Sequence, residues 1–174
     1  ACMRNLKSLF TRIETEKSWI NTDIRGYELH KKTLGIIGYG RLGKMVAKYA
    51  NSFGMKVLAN DCDPSKYDNN VSPVNLETLL KKSDVISIHA KLNSSSQKLI
   101  SFREVDYMKK GVVIVNTARG EIIDPKAIFE GLNSNKIASI GLDVCTNEYQ
   151  STKLPNDLLL LKSLEDKRII VTPH

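Results

Sequence analysis

The sequence predicts an α/β fold in which a doubly wound parallel sheet carries helices on both faces. Short apolar runs of strand length alternate with amphipathic segments of helix length along most of the chain. Several runs, such as Val112 to Val115, are rich in β-branched residues, as strands buried on both faces are. The chain has 174 residues, 41% hydrophobic and 26% charged, which is the size and composition of a single globular domain.

The chain begins with a predicted amphipathic helix from Leu6 to Trp19. Four apolar residues recur there at helical spacing, with charged residues between them: Leu6, Leu9, Phe10 and Ile13. The polar segment from Asn21 to Lys32 contains Gly26 and is predicted to be a connection.

Strands and helices then alternate. The predicted strands are Leu34 to Ile37, Lys56 to Asn60, Val85 to His89, Val112 to Val115, Ala138 to Val144 and Arg168 to Val171. The predicted helices are Lys44 to Phe53 with Gly54 as C-cap, Leu76 to Lys81, a segment capped by Ser101 that runs to Met108, and one opened by Asp124 and Pro125. Strands joined through helices make right-handed crossovers, so the sheet is expected to be parallel.

Composition excludes several function classes. The 26 Lys and Arg exceed the 19 Asp and Glu, but they are spread along the chain and aromatics make up only 6%, so no nucleic-acid partner is expected. No apolar stretch approaches the roughly 18 residues that cross a bilayer, and no signal peptide is visible, so a cytoplasmic protein is expected. The three Cys and three His share no metal-ligand spacing, so no metal site is predicted.

A glycine-rich segment carries the first functional signal. It reads G-x-G-x-x-G, ends the first predicted strand and opens a helix: Gly38, Tyr39, Gly40, Arg41, Leu42 and Gly43. In that context the glycines permit a tight turn, close approach of a pyrophosphate and helix-on-strand packing, while the helix N-terminus attracts the anion. A strand-to-helix turn without a ligand is the alternative.

Asp61 ends the second predicted strand, eighteen residues after Gly43. A carboxylate at this position can accept hydrogen bonds from both adenosine ribose hydroxyls. The next residues include Asp63 and no Arg for a 2′-phosphate, so NAD is predicted rather than NADP. A solvated loop aspartate is the alternative interpretation.

Three later motifs carry a resemblance to a known family. Asn116 to Gly120 reads N-x-x-R-G, Gly141 to Val144 with Glu148 reads G-x-D-V-x-x-x-E, and the sequence ends in T-P-H, from Thr172 to His174. In this order they resemble the motifs of the D-isomer-specific 2-hydroxyacid dehydrogenases, in the nucleotide-binding Rossmann domain of that family, where T-P-H introduces the catalytic histidine. The sequence departs from the family at three positions, with Lys91 where Pro is usual, Cys145 where Phe is usual and Tyr149 where Pro is common.

The resemblance implies roles for individual residues. His174 would be the general acid and base, Glu148 would orient it, and Arg119 would bind the carboxylate or 2-oxygen of a 2-hydroxy or 2-keto acid. The cofactor would be lined by Ala90, Thr117, Ala118 and Asp143, the last contacting the nicotinamide carboxamide. Taken singly, each has a bland alternative, such as a surface ion pair for Arg119 or a loop cap for Asp143.

The resemblance also predicts the organisation of the molecule. Residues 1–20 would form an N-terminal arm and residues 21–174 the NAD-binding domain, with the family's second, substrate-binding domain absent from this sequence. We therefore expect a fragment that binds nucleotide and has little activity alone, and a homodimer to which the arm contributes. An arm packed on its own domain is the alternative for residues 1–20, and an NAD-sensing regulatory module is the alternative function.

Overall fold

The computed structural model describes residues 1–17, 19, 26–146 and 156–174. Within them, seven parallel strands form one sheet in the order β3-β2-β1-β4-β5-β6-β7. The strands are β1 Thr33–Ile37, β2 Lys56–Asn60, β3 Ser72–Pro73, β4 Val85–Ile88, β5 Val112–Asn116, β6 Ile137–Leu142 and β7 Ile169–Val171. The helices are α1 Leu6–Glu16, α2 Arg41–Ser52, α3 Leu76–Lys82, α4 Phe102–Tyr107, α5 Pro125–Asn133 and α6 Leu158–Ser163. Short 3-10 turns lie at Cys2–Arg4, Pro64–Lys66 and Gly120–Ile122.

The strand order confirms the doubly wound α/β prediction. Ile36 in β1 lies beside Ala59 of β2 on one side and Ser87 of β4 on the other, so the order reverses direction at β1. At such a reversal the connections leave the sheet on opposite faces, and a crevice opens at the carboxyl ends of the two central strands. This crevice is where a ligand is expected.

Two apolar cores cover the two faces of the sheet. The larger joins β-strand residues to α3, α4 and α5 through side chains such as Leu79, Val105 and Ile128. The smaller joins β1 and β2 to α2 through Ile36, Ala47 and Val57 among others. Burial on both faces explains why β1, β4 and β5 are apolar at nearly every position rather than alternating.

Most predicted elements are present with shifted ends. The first helix ends at Glu16, where Lys17 takes a left-handed conformation with φ 52°, instead of continuing to Trp19. The predicted strand Ala138 to Val144 lies at Ile137–Leu142. The short elements β3 and α6 were not anticipated. Part of the predicted connection from Asn21 to Lys32 falls outside the described residues.

Helix α1 lies at the surface with its apolar side partly uncovered. It contains no buried residue, and Phe10 is 60% exposed. Lys7 attaches the helix to its own domain, because its ammonium donates to the carbonyl oxygens of Ser163 and, at 2.9 Å, Ile169. The division of the chain at residue 20 stays a prediction. In the described residues no helix has both the length and the apolar character to cross a bilayer.

Candidate functional site

The carboxyl edge of the sheet collects the predicted site residues. The segment Gly38 to Gly43 follows β1, Asp61 follows β2, Ala90 follows β4, Thr117 to Arg119 follow β5, Asp143 follows β6 and His174 follows β7. Because all the strands are parallel, these residues share one edge. Glu148 lies outside the described residues, so its predicted role stays a prediction.

The glycine turn has the shape that a diphosphate requires. Gly38 has φ +90°, and a Cβ there would lie 2.5 Å from the backbone nitrogen of Ala90. A Cβ on Gly43 would lie 2.4 Å from the carbonyl oxygen of Gly38, so α2 could not pack this closely with a larger residue. A Cβ on Gly40, in contrast, would meet nothing within 4 Å. The turn is therefore tight where protein packs on it and open where a ligand would approach.

The N-terminus of α2 is electrostatically suited to an anion. No side chain caps it, and its first turn carries no acidic residue. Unpaired N–H groups and the positive end of the helix dipole therefore point out of the turn. Arg41 and Leu42 are exposed beside it. These features fit the pyrophosphate of a dinucleotide.

Tyr39 faces inward and offers a ligand only its backbone. The side chain is fully buried, its hydroxyl donates to Asp68 at 2.8 Å and its ring stacks on Tyr67. Burial, together with the hydrogen bond to Asp68 and the charge of that carboxylate, raises the pKa of Tyr39. The backbone N–H donates to Asp61 at 2.7 Å, so the glycine turn is joined directly to the predicted ribose carboxylate.

Asp61 is held by several donors. Oδ1 accepts from the backbone N–H of Asp63 and from the Lys66 ammonium, each at 2.9 Å. Burial raises its pKa, but the hydrogen bonds from Lys66, Asp63 and Tyr39 outweigh that effect and hold the pKa of Asp61 below its ordinary value. The carboxylate is thus ionised at neutral pH and oriented before any ligand arrives. Lys66 was not anticipated as a partner.

The carboxyl ends of β4 and β5 carry a histidine to which no role is assigned above. His89 follows β4, and its ring nitrogens lie 2.8 Å from the Ser87 hydroxyl and 3.5 Å from that of Thr117. Burial lowers the pKa of His89, which favours a neutral imidazole at pH 7. The family resemblance assigns Ala90 to the cofactor, but it is His89, the residue before it, that contacts Thr117.

Arg119 reaches the edge on a loop fixed by a buried amide. The Asn116 side chain accepts from the N–H of Ala118 at 3.0 Å and donates to the carbonyl of Arg119 at 2.8 Å. Ala118 is nearly buried, so only a small part of its surface is available for the predicted contact with the cofactor. The Arg119 side chain is exposed, donates to the carbonyl of Ala118, and makes no ion pair with any described residue. Its guanidinium is therefore available to an anion.

Asp143 joins the ends of three adjacent strands. Its N–H donates to the carbonyl of Asn116 at 3.0 Å, and its carboxylate accepts from the hydroxyl of Thr172. The backbone N–H of Thr172 in turn donates to Leu142 at 2.9 Å. These bonds hold the segment that carries His174 beside Asp143, and His174 itself is exposed.

A buried aspartate outside the predicted site anchors the neighbouring loop. Asp157 caps α6, accepting from the N–H groups of Leu159 and Leu160 at 2.9 and 3.0 Å. Its second oxygen accepts from the N–H of Thr146 at 2.9 Å and from the hydroxyl of that residue. It thereby joins the two ends of the segment 147–155, which contains Glu148. An aspartate immediately before the apolar run Leu158 to Leu161 is an N-cap signal, so this residue was detectable in the sequence.

Comparison with known proteins decides the family. The family model described as D-isomer specific 2-hydroxyacid dehydrogenase, NAD binding domain, matches residues 1–174. The chain belongs to this family of dehydrogenase domains. The predicted family resemblance and the NAD assignment are thereby confirmed, and the glycine turn, the open face at Gly40 and Asp61 fit that cofactor.

Relatives of the dehydrogenase domain agree with this. Hydroxypyruvate reductase of Thermotoga maritima is 40% identical over 174 residues, covering 100% of this chain and 55% of that protein. D-lactate dehydrogenase of Escherichia coli is 41% identical over 127 residues, covering 72% of this chain and 39% of that protein. The crystal structure of D-lactate dehydrogenase from Aquifex aeolicus complexed with NAD and lactic acid superimposes with a TM-score of 0.86 at 33% identity, covering 99% of this chain and 55% of that one.

The chain spans about half the length of the curated relatives it matches. It corresponds to their nucleotide-binding part, as the single sheet and the family model both indicate. None of these comparisons supports the alternative of a regulatory NAD-sensing module.

Proposed function

We propose that this domain serves an NAD-dependent dehydrogenase that interconverts D-2-hydroxy acids and 2-keto acids. The observation that carries the proposal is Arg119, which is exposed at the same sheet edge as the glycine turn and pairs with no described acid. A guanidinium in that position is suited to a carboxylate, because it can donate two parallel hydrogen bonds. Bound NAD supplies the hydride acceptor, and NADH the hydride donor.

The cofactor would lie across the crevice from Gly40 towards Asp143. Its pyrophosphate would rest on the open side of the glycine turn, and the adenosine ribose would donate to Asp61. Ala90 and Thr117, after β4 and β5, would line the nicotinamide end, with Asp143 accepting from the carboxamide. The hydrogen bond between Asp143 and Thr172 supports this last assignment, because it leaves the second carboxylate oxygen for a ligand.

The residues for proton transfer follow from the same arrangement. His174 would donate a proton to the 2-oxygen during reduction and accept it during oxidation, a role suited to a side chain whose ordinary pKa lies near neutrality. Glu148 would hold the imidazole in the correct orientation and favour its charged form. Arg119 would bind the substrate carboxylate and stabilise negative charge that develops on the 2-oxygen.

The substrate class is a small 2-keto or 2-hydroxy acid, processed in the cytoplasm. The relatives carry names of hydroxypyruvate, glyoxylate and D-lactate enzymes, which share the 2-oxygen next to a carboxylate. That common element is what Arg119 and His174 would recognise. The remainder of the substrate would contact residues beyond this edge.

We also propose a homodimer in which α1 takes part. Lys7 binds back to the domain, yet three apolar residues of α1 stay partly exposed, Leu6 and Ile13 each to 37% and Phe10 to 60%. An uncovered apolar helix face is unfavourable in water and favours association with a second copy.

The function is tested at Arg119 in the full-length protein. Arg119→Gln should lower kcat/KM for reduction of hydroxypyruvate, glyoxylate or pyruvate by about 100-fold or more, because a charged donor to the transition state is lost. NADH oxidation at its absorbance band measures the rate, and NADH affinity should stay within about twofold because Arg119 is not assigned to the cofactor.

Arg103→Gln, which removes an exposed arginine on α4, is the matched control and should leave the rate unchanged. Wild-type activity in Arg119→Gln would contradict the proposed function. So would the absence of turnover with every 2-keto acid in a protein that binds NADH.

A further inference from the structure

The ribose end of the site contains a cation that the glycine fingerprint does not predict. Lys66 lies in the 3-10 turn Pro64–Lys66, five residues after Asp61, and its ammonium is 2.9 Å from Asp61 Oδ1. The Asp61 side chain is only 6% exposed, whereas that of Lys66 is 38% exposed. The Asp61 carboxylate is therefore held inside the protein, and the Lys66 ammonium lies between it and solvent.

Most acceptor positions of Asp61 are already in use. Oδ1 accepts from Lys66, from the N–H of Asp63 and, at 3.6 Å, from the thiol of Cys62, while Oδ2 accepts from Tyr39. A carboxylate offers about four acceptor positions. The backbone donors stay in place while the turn is folded. A first ribose hydroxyl can therefore donate to the remaining position on Oδ2, whereas a second one gains a place on Oδ1 by displacing the ammonium.

The charges in this corner also bear on a phosphate. Asp61 and Asp63 are both negative, and Asp63 is occupied by the N–H and hydroxyl of Ser65. A 2′-phosphate placed against two unscreened carboxylates would be strongly repelled. A few bond rotations would move the Lys66 ammonium off Asp61. It would then lie between the carboxylate and the phosphate and reduce their repulsion.

We propose that Lys66 sets the margin by which this site prefers NAD(H) to NADP(H), because it neutralises Asp61 and offers a cation to a 2′-phosphate. This rests on the proposed function only in its use of Asp61 as the ribose acceptor. NAD(H) remains the better ligand, since its free hydroxyls can donate to Asp61. The affinity for NADP(H) depends on the charge of Lys66.

The test compares NADH and NADPH affinities by calorimetry in wild-type protein and Lys66→Gln. Loss of the ammonium should lower the affinity for NADPH by about tenfold, because a partly exposed charge near the phosphate is removed. The affinity for NADH should change by less than about threefold. Without Lys66 a ribose hydroxyl no longer competes with the ammonium for Asp61, but the site also loses a positive charge, and the two effects offset one another. Lys66→Arg should restore the NADPH affinity.

Lys81→Gln is the matched control. It removes the same charge from another partly exposed ion pair, with Glu77 on α3, next to the start of β4 and hence at the opposite edge of the sheet. It should leave both affinities unchanged. In an Asp61→Ala background, Lys66→Gln should still weaken NADPH while no longer affecting NADH.

Equal changes in both affinities for Lys66→Gln, or no change in either, would overturn the inference. NADPH binding that is undetectable in the wild type would also overturn it, because no screening would then be present. These outcomes are separate from the proposed function: NADH that still binds, and that depends on Gly40, leaves the cofactor site intact whatever Lys66 does.

Discussion

At the scale of single residues, Gly40 and Tyr39 have different roles in the cofactor turn. Gly40 leaves space for the ligand, and Tyr39 packs the turn against the protein. The position of Gly40 is empty of protein, while the adjacent Tyr39 side chain is fully buried against Tyr67 and Asp68. The buried tyrosine makes the turn rigid, and its N–H positions Asp61. A ligand thus meets a surface that is already formed, which reduces the entropy lost on binding.

Gly40→Val should abolish NADH binding while leaving the fold intact. Gly40 has φ −83°, which any residue can adopt, and its Cβ would meet nothing within 4 Å of the protein. The branched side chain would instead occupy the space of the pyrophosphate. Calorimetry with NADH and far-ultraviolet circular dichroism measure the two effects.

Gly40→Ala is the graded control and should weaken NADH less than Gly40→Val does. Unchanged NADH affinity in Gly40→Val would show that the turn has only a structural role. A loss of helical signal would show that Gly40 has a folding role that its open surroundings do not indicate.

At the scale of elements, Asp157 connects α6 to the loop after β6. Its side chain is 4% exposed and receives hydrogen bonds from Thr146 and from the first turn of α6. The segment 147–155 between these attachments contains Glu148. Asp157 therefore fixes the residues on both sides of the segment that contains Glu148, for which a catalytic role is proposed.

Asp157→Ala should lower the free energy of unfolding by about 2–4 kcal/mol, because it removes an N-cap and leaves buried N–H groups unpaired. Asp157→Asn should cost less, since the amide oxygen can still cap α6. Urea denaturation measures both. If the alanine variant is as stable as wild type, the capping and loop-anchoring role is wrong.

At the scale of the whole molecule, two exposed surfaces of the domain differ in character. The carboxyl edge presents Arg119, Thr117 and His174 as exposed side chains, and α1 presents Phe10. The edge is polar, which suits the proposed substrate, whereas α1 exposes apolar side chains, which suit the proposed contact with a second copy.

Phe10→Lys should shift the protein towards monomer, because a charge on the exposed side of α1 disfavours burial in an interface. Sedimentation equilibrium at several protein concentrations measures the shift. Tyr49→Lys is the matched control, as Tyr49 on α2 is also aromatic and 60% exposed. Dissociation by Tyr49→Lys and not by Phe10→Lys would place the interface on α2 instead of α1.

The sequence by itself determined the features that depend on neighbours along the chain. The strand runs, the N-cap at Asp124, the C-terminal turn at Gly54 and the glycine turn after β1 arise from local periodicity and backbone conformation. Gly38 was predicted from the glycine fingerprint and Asp61 from its place at the end of a strand, whereas Arg119 and Asp143 were predicted from the family resemblance. The parallel sheet brings all four to one edge.

Only the tertiary structure decided how those residues are partnered. The pairing of Lys66 with Asp61, the inward direction of Tyr39 and the outward direction of Phe10 depend on which surfaces meet after folding. Side-chain hydrogen bonds and charges act through space over a few ångströms, and no periodicity in the sequence encodes that proximity. The chemistry of the edge was therefore visible in the sequence, whereas the charge balance around Asp61 became visible only in the folded molecule.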